Sequence, residues 1–539
     1  MASENEEERT GVNIDEAEAA EATAQASIAE AKECLPPSHV VMDLLSIGVC
    51  SRCIMRFFGV RGHVSYSEEE SKIVVEDGVK EEKDLNSYDS FQMELESFCC
   101  ICLGVLQFSY SEGKDVLVKR DNVSEFALAV AETVKNEGYE IDSFSLEISV
   151  PPIILANEHA IWLYMKRKYG SELWFQDKLQ NGHISLKEAL KFSITNSLES
   201  LLGAKHEASS FHIRLTYTHS NVSLGITDSQ KTDQDHKRRK TGAEDNYYTV
   251  ASNGRECAEN SNGEASAVVD GLQDSEHLKS PPEKVKEPCC LTRHCNRTPV
   301  YIGGRYLKYS RNVSQTRWII DDERKGEASV EEIIGNTVLP LSQGDSYKFH
   351  AAGREDIDVR MLGSGRPFLL EVQNARRDPL KVSMEEIEEK INNSEVKLVR
   401  VRNVKVVGIE GWNLMREGET EKQKQYAALV WISRPLEDED LKTISSVKDM
   451  QISQRTPVRV LHRRSPLDRE RSIHWMKIER IVGSTQYILL HLCTQAGTYI
   501  KEFVHGDLGR TKPSIGSILG CRAEILQLDV TDVKMDCFN

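Results

Sequence analysis

The stretch from His350 to Phe368 gathers Arg354, Asp356, Asp358 and Arg360 between Gly353 and the Gly363-Ser364-Gly365 run, the composition of an active-site edge rather than of a core. A carboxylate held beside a cation stays ionised and can serve as a nucleophile or as an ion-pair partner. If a strand begins after Gly353, side chains alternate along it. Asp356, Asp358 and Arg360 then share one face while Ile357, Val359 and Met361 pack on the other. Gly363-Ser364-Gly365 reads as a hairpin turn with a return strand from Phe368 to Val372. A hairpin with a merely solvated polar face has the same alternation, so composition alone leaves both readings open.

A second chemistry-bearing pattern lies near the start of the chain. Cys50-Ser-Arg-Cys53 and Cys99-Cys-Ile-Cys102 are two Cys-x-x-Cys pairs, able to supply four thiolates to one tetrahedral ion, each pair on a tight turn. The ion expected is a structural zinc. The intervening acidic excursion, which includes Glu68 to Glu96, is longer than in a compact zinc ribbon, and buried thiols are the competing reading. Cys100 adjoins the second pair as an alternative ligand, whereas Cys289, Cys290 and Cys295 have no partner pair and are assigned no metal. Thirteen cysteines in a chain without a secretory signal argue for reduced thiols.

The elements that must hold these groups are legible from periodicity and charge. Five hundred and thirty-nine residues exceed one core. Residues 1–35 are expected to form a disordered acidic tail; residues 1–33 carry ten acids against Arg9 and Lys32, so -8 of the net charge of -17 lies there. A domain over 36–222 follows. Its helices are expected at Glu125 to Asn136 and from Ser185, where Glu188 completes a capping box, to a stop at Gly203; Phe144 to Val150 and Phe211 to Tyr217 alternate as strands. Residues 223–288 are expected to form a polar, disordered linker holding the basic cluster His236-Lys-Arg-Arg-Lys240, of nuclear-import type. The last domain, 289–539, is rich in strand signals at Ala427 to Ile432, Val458 to Leu461, Tyr487 to Cys493 and Ile525 to Val530, with a helix from Leu436 to Ser446. Between Gln454 and Arg480 eight cations face three acids and are interleaved with Val458, Val460, Leu461, Ile473, Trp475 and Ile478. That is the pattern of a folded surface presenting phosphate ligands. No run of 18 apolar residues exists, so no membrane partner is expected, and the compartment is nucleus, cytoplasm or both.

Gly353-Arg-Glu-Asp356 resembles the Gly-Arg-x-Asp motif of pseudouridine synthases. Glu421-Lys-Gln-Lys-Gln-Tyr426-Ala resembles the Lys-x-Tyr-x-Ala strand of that family, and Ala496-Gly-Thr-Tyr499-Ile500-Lys501-Glu its Gly-Thr-Tyr-Ile-Arg/Lys motif. With the flanking Gly304-Arg-Tyr-Leu-Lys-Tyr-Ser-Arg311, Gln315-Thr-Arg-Trp318 and His505-Gly-Asp-Leu-Gly-Arg-Thr-Lys-Pro-Ser514, the chain is similar to the archaeal and eukaryotic tRNA pseudouridine synthase family with an N-terminal zinc and THUMP-like region. The resemblance implies an α+β protein: a zinc-binding, THUMP-containing RNA-binding domain, then a catalytic domain built on a curved mixed, mainly antiparallel sheet with a central cleft. It implies isomerisation of uridine to pseudouridine in the tRNA T-loop, at position 55 with 54 a further candidate, by a monomer that needs no organic cofactor. Residue by residue it implies Asp356 as nucleophile, Lys501 as its charge partner, and Tyr426 as the platform for the flipped base. Arg354, Tyr499, Ile500 and Leu528 are the remaining substrate contacts. Asp358 stays a rival to Asp356, favoured less only by motif position. Arg455, Arg459, Arg463 and Arg464 are the expected RNA-backbone ligands. Neither a Ser-Gly-Gly-x-Asp-Ser-type pyrophosphate loop nor a Gly-rich cofactor loop after a strand is present, which argues against a thiouridine synthetase or a methyltransferase with the same RNA-binding module, and there is no Gly-x-x-x-x-Gly-Lys-Ser/Thr loop.

Overall fold

The computed structural model describes residues 33–61, 98–113, 116–178, 182–219, 280–283, 285–418, 423–461 and 464–535. Most of the expected tail, most of the acidic excursion between the cysteine pairs, most of the linker with its basic cluster, and Arg463 lie outside the described residues. The chain divides into two compact units, one of residues 1–133, 146–206 and 213–294, the other of residues 134–145, 207–212 and 295–539.

A six-stranded sheet, most of whose residues belong to the first unit, is made of β1 (Ser109–Glu112), β2 (Val116–Lys119), β3 (Ser143–Ser149), β4 (Lys205–His206), β5 (Phe211–Thr218) and β6 (Cys290–Arg297), in the order β2-β1-β6-β5-β3-β4. The alternation read from sequence is visible along β5, where Phe211, Ile213, Leu215 and Tyr217 are buried. The helix Leu186–Leu202 begins on the expected capping box: Ser185 Oγ accepts from the Glu188 amide, and Glu188 Oε2 accepts from the Ser185 amide. Gly203 ends it in the left-handed conformation. Helices Val123–Asn136 and Pro152–Tyr169 complete the helix-strand alternation.

The second unit is built on a ten-stranded sheet of β7 (Val300–Lys308), β8 (Ser346–Ala351), β9 (Arg360–Gln373), β10 (Val399–Val407), β11 (Lys424–Ile432), β12 (Lys448–Arg455), β13 (Asp468–Arg480), β14 (Tyr487–Thr494), β15 (Thr511–Lys512) and β16 (Ala523–Val533). The order is β10-β7-β9-β16-β11-β14-β13-β12-β15, with β8 paired to β9. The sheet is mixed and mainly antiparallel, β9 and β16 being the parallel pair. Tyr426, Ala428, Val430 and Ile432 of β11 point into one core with Phe368, Leu370, Leu490 and Leu492.

Two expectations for this unit are corrected. Residues 354–359 are loop and turn, and β9 starts only at Arg360. Gly363-Ser364-Gly365 is not a hairpin turn but a bulge inside one continuous strand, where the register with β7 shifts between Met361 and Arg366. The glycines are needed because Gly363 (φ +65) and Gly365 (φ +82) are left-handed, and a Cβ on Gly363 would stand 1.7 Å from the Thr531 carbonyl oxygen. Buried Arg305 holds the bulge through the carbonyls of Ser364 and Gly365. The second correction concerns Val458 to Leu461, expected as strand. Val458–Val460 form one turn of 3₁₀ helix after Pro457, which has no amide to continue the β12 ladder.

Candidate functional site

The loop after β8 carries Gly353-Arg-Glu-Asp356, and it is fastened from beneath. Glu355 is buried, with Oε2 accepting from Arg366 Nε at 2.8 Å and both oxygens accepting from the Tyr306 hydroxyl at 2.9 Å. Arg366 also donates to the Ala352 carbonyl at 2.7 Å, and Gln315 Nε2 donates to Tyr306 Oη and to the Gly353 carbonyl, each at 2.8 Å. Every member of this buried pair is thus hydrogen-bonded, the condition under which an ion pair tolerates loss of water. Gly353 has φ +88, and a Cβ there would lie 2.6 Å from Lys424 Nζ.

The turn that follows is gripped by Lys308. This fully buried ammonium on β7 donates to the carbonyls of Val313 (2.7 Å), Ile357 (2.8 Å) and Asp356 (3.3 Å). Burial pushes its pKa down to about 8. Arg311 adds a bond to the Asp358 carbonyl at 2.8 Å and pairs with Asp529 at 2.6 Å.

So held, Asp356 faces a cavity of about 580 Å³. Arg354, Asp356, Tyr426, Arg459, Arg464, Tyr499, Ile500, Lys501 and Leu528 all line it. Asp356 Oδ2 lies 2.8 Å from Arg459 and 3.4 Å from Lys501 Nζ, whereas Lys501 reaches Asp358 at 2.9 and 3.0 Å. Burial alone would raise the Asp358 carboxyl, but the hydrogen bond and charge of Lys501 hold it below its ordinary value. Lys501 sits just inside the helix Ile500–His505, whose N-cap, Tyr499, is fixed by buried Gln454: its side chain donates to the Tyr499 carbonyl at 3.0 Å and accepts from the Tyr499 amide at 2.9 Å. Tyr426 is buried on β11, which pushes its phenol up to about 12 and keeps it neutral near pH 7. Arg354 NH1 donates to Thr316 Oγ1 at 3.1 Å.

The expected RNA-backbone arginines part company. Arg464 lines the cavity, Arg455 pairs with exposed Asp468 at 3.0 Å, and Arg459 is engaged by Asp356 and by Glu502, at 2.7 and 3.2 Å. Glu502, Lys308, Glu355 and Arg366 escaped the sequence reading because a charged residue in a linear motif carries no sign of burial. Spacing did contain a clue: Glu355 is the variable place of Gly-Arg-x-Asp, and Lys308 lies in the flanking Gly304 to Arg311 run.

In the first unit Cys50, Cys53, Cys99 and Cys102 bring their sulfurs within 4.8 Å of one another. Cys50 caps the helix Ser51–Phe57, and the second pair lies on a turn closed by the Leu103 amide to the Cys99 carbonyl at 2.9 Å. The Cys50 and Cys102 sulfurs are 3.9 Å apart, close to the ~3.8 Å edge of a tetrahedron with ~2.3 Å metal-sulfur bonds. The donor set therefore fits a zinc ion. Buried Arg56 stands beside it, paired with Glu158 at 2.7 Å, its charge favoured by the Cys53 and Cys102 sulfurs against burial. Cys100 is buried outside the group of four, and burial pushes its thiol up.

Residues 301–534 match the family model described as Pus10, C-terminal, and residues 99–241 the model described as eukaryotic Pus10, N-terminal. A tRNA pseudouridine synthase Pus10 of Xenopus laevis is 35% identical over 541 residues, covering 92% of this chain and 97% of that protein. The chain belongs to the Pus10 family. It is accordingly an isomerase of the pseudouridine synthase class. The human protein of the same name is 33% identical with the same coverage, while that of Thermofilum pendens is 40% identical over 238 residues, 44% of this chain and 53% of that one. The crystal structure of a Cbf5-Nop10-Gar1 complex aligns over 43% of this chain and 48% of the other at 15% identity and a TM-score of 0.25, too loose a likeness to bear on the site.

Proposed function

We propose that this chain converts uridine to pseudouridine in the T-loop of tRNA, at position 55 with 54 a further candidate, with Asp356 as nucleophile. The observation that carries the reading is the Asp356 carboxylate, 2.8 Å from Arg459 and 3.4 Å from Lys501, in a cavity that Tyr426 also lines. The reaction breaks the bond from C1′ to N1, turns the base and joins C1′ to C5; the proton lost from C5 balances the one gained at N1, so neither oxidant nor organic cofactor enters. Arg459 and Lys501 are the cations that face the Asp356 carboxylate from which attack is made. The Tyr426 ring is the stacking face for the extruded base, and Ile500 and Leu528 keep water from it. Arg354 and Tyr499 are further contacts to the flipped nucleotide.

The four cysteines would hold a structural zinc that ties two chain segments together without entering the reaction. The first unit, by the same reading, is the THUMP-like module that binds tRNA, the protein is a monomer, and it works in the nucleus, the cytoplasm or both.

Pseudouridine mapping on tRNA incubated with purified protein tests the assignment. Asp356→Ala should bind tRNA normally and form no detectable pseudouridine, and Asp358→Ala should keep part of the activity. The reverse order of these two variants would transfer the nucleophile to Asp358.

A further inference from the structure

The arginines of the Gln454 to Arg480 segment fall into two classes by what opposes them. Arg455, Arg459 and Arg480 pair with Asp468, with Asp356 and Glu502, and with Asp438. Arg469 and Arg471 line the cavity and make no ion pair with a carboxylate among the described residues. They stand two apart on β13, so they project from the same face of the strand. Arg469 NH1 donates to Thr456 Oγ1 at 2.7 Å and Arg471 NH1 to the Glu470 carbonyl at 2.7 Å. These bonds leave each fork partly free. Arg471 Nε is buried and has no hydrogen-bond partner among the described residues, which is costly for a charged group and marks a place where an acceptor belongs. The backbone has been cleared for it, because Gly497 is left-handed at φ +80 and a Cβ there would lie 3.3 Å from Arg471 NH2.

Eight cationic side chains line this cavity against two carboxylates, Glu355 and Asp356, and those two already have arginine partners. The unmet charge is positive and is carried by planar forks, whose geometry matches a tetrahedral oxyanion. We propose that Arg469 and Arg471 form a binding site for a phosphodiester, one of the two that flank the uridine extruded into the cavity. This rests on the reading of the cavity as the place where the target uridine is received. A base drawn out of its stack carries its ribose and flanking phosphates with it, and contacts made only after extrusion offset the lost stacking. The pair therefore acts on the flipped nucleotide and not on the tRNA backbone at large.

The test is a set of T-arm hairpin RNAs, each with one uncharged methylphosphonate linkage, placed 5′ or 3′ of the target uridine or at a remote stem position. Affinity and single-turnover pseudouridine formation are measured for the wild-type full chain and for Arg469→Gln with Arg471→Gln. For the wild type, one flanking linkage should weaken binding or rate about tenfold or more, as expected for loss of a charge-assisted contact. The remote linkage should not. For the double variant that flanking linkage should have no further effect, since the partner is already gone. Arg469→Lys with Arg471→Lys should recover part of the sensitivity, which separates loss of the contact from loss of the fold. Wild-type indifference to both flanking linkages, or a double variant as sensitive as wild type, would overturn the site. Failure of the wild type to form pseudouridine while its binding keeps the linkage dependence would strike the assigned reaction and leave the phosphate site standing.

Discussion

Lys308 is the residue whose chemistry is least expected of its position: a fully buried ammonium in the core behind the aspartate turn, its three donors directed to three carbonyls. Its folded pKa of about 8 lies below the ordinary 10.5 because burial penalises the charge. The sign of the linkage follows. Between those values the unfolded chain binds more protons than the native one, so this group makes stability rise with pH; its penalty is full below about pH 8 and gone above about 10.5. The size is roughly 3 kcal/mol, from ~1.4 kcal/mol for each pKa unit. Lys308→Met should remove that slope, which denaturant unfolding of the two proteins from pH 7 to pH 10 would read as a difference curve. The variant should also form pseudouridine more slowly at unchanged tRNA affinity, because the turn bearing Asp356 loses its grip. Parallel stability curves for wild type and variant across that window would remove Lys308 as a buried titrating cation.

At the scale of elements, what was legible depended on whether local pattern or distant packing decides. Periodicity gave β11, β14, β16 and the helix from Ser185, because alternation and a capping box are local and the core agreed with them. The Gly363-Ser364-Gly365 run misled because a turn and a bulge both call for left-handed glycines, and only the Thr531 carbonyl on the neighbouring β16 tells them apart. Motif order grouped Asp356, Tyr426 and Lys501 as one expected site, and all three line the cavity. Arg459 as the nearer cation to Asp356 was not legible, since 103 residues separate the two and the strand expected there is a 3₁₀ turn. The cysteine spacing was local within each pair but silent on how far the pairs lie apart in space, and the four sulfurs now converge. Elemental analysis should find about one zinc per chain, lost on Cys50→Ser with Cys53→Ser, together with a lower unfolding temperature, because binding free energy at such a site is folding free energy. Metal retained at full stoichiometry by that double variant would place the ligands elsewhere.

For the whole molecule the question is how a chain of net charge -17 holds a polyanion. Charge is unevenly placed: residues 1–33 contribute -8, while eight cations line the cavity. Affinity for RNA should therefore follow the local field and not the sum, falling with salt in proportion to the phosphates neutralised. Arg459 is held by two carboxylates and should contribute little to that slope, although Arg459→Gln should slow catalysis by removing the nearest cation from Asp356. Arg464 lines the cavity and makes no ion pair among the described residues, so Arg464→Gln should flatten the salt dependence by about one counterion-release term and weaken different tRNAs alike. Deleting residues 1–33 should leave affinity unchanged or slightly higher, since it removes repulsion and no contact. Binding across a salt series, set beside single-turnover rates at saturating enzyme, separates these effects. If Arg459→Gln flattened the salt slope as much as Arg464→Gln while leaving the rate intact, Arg459 would be a phosphate ligand first, and its pairing with Asp356 would be incidental to the chemistry.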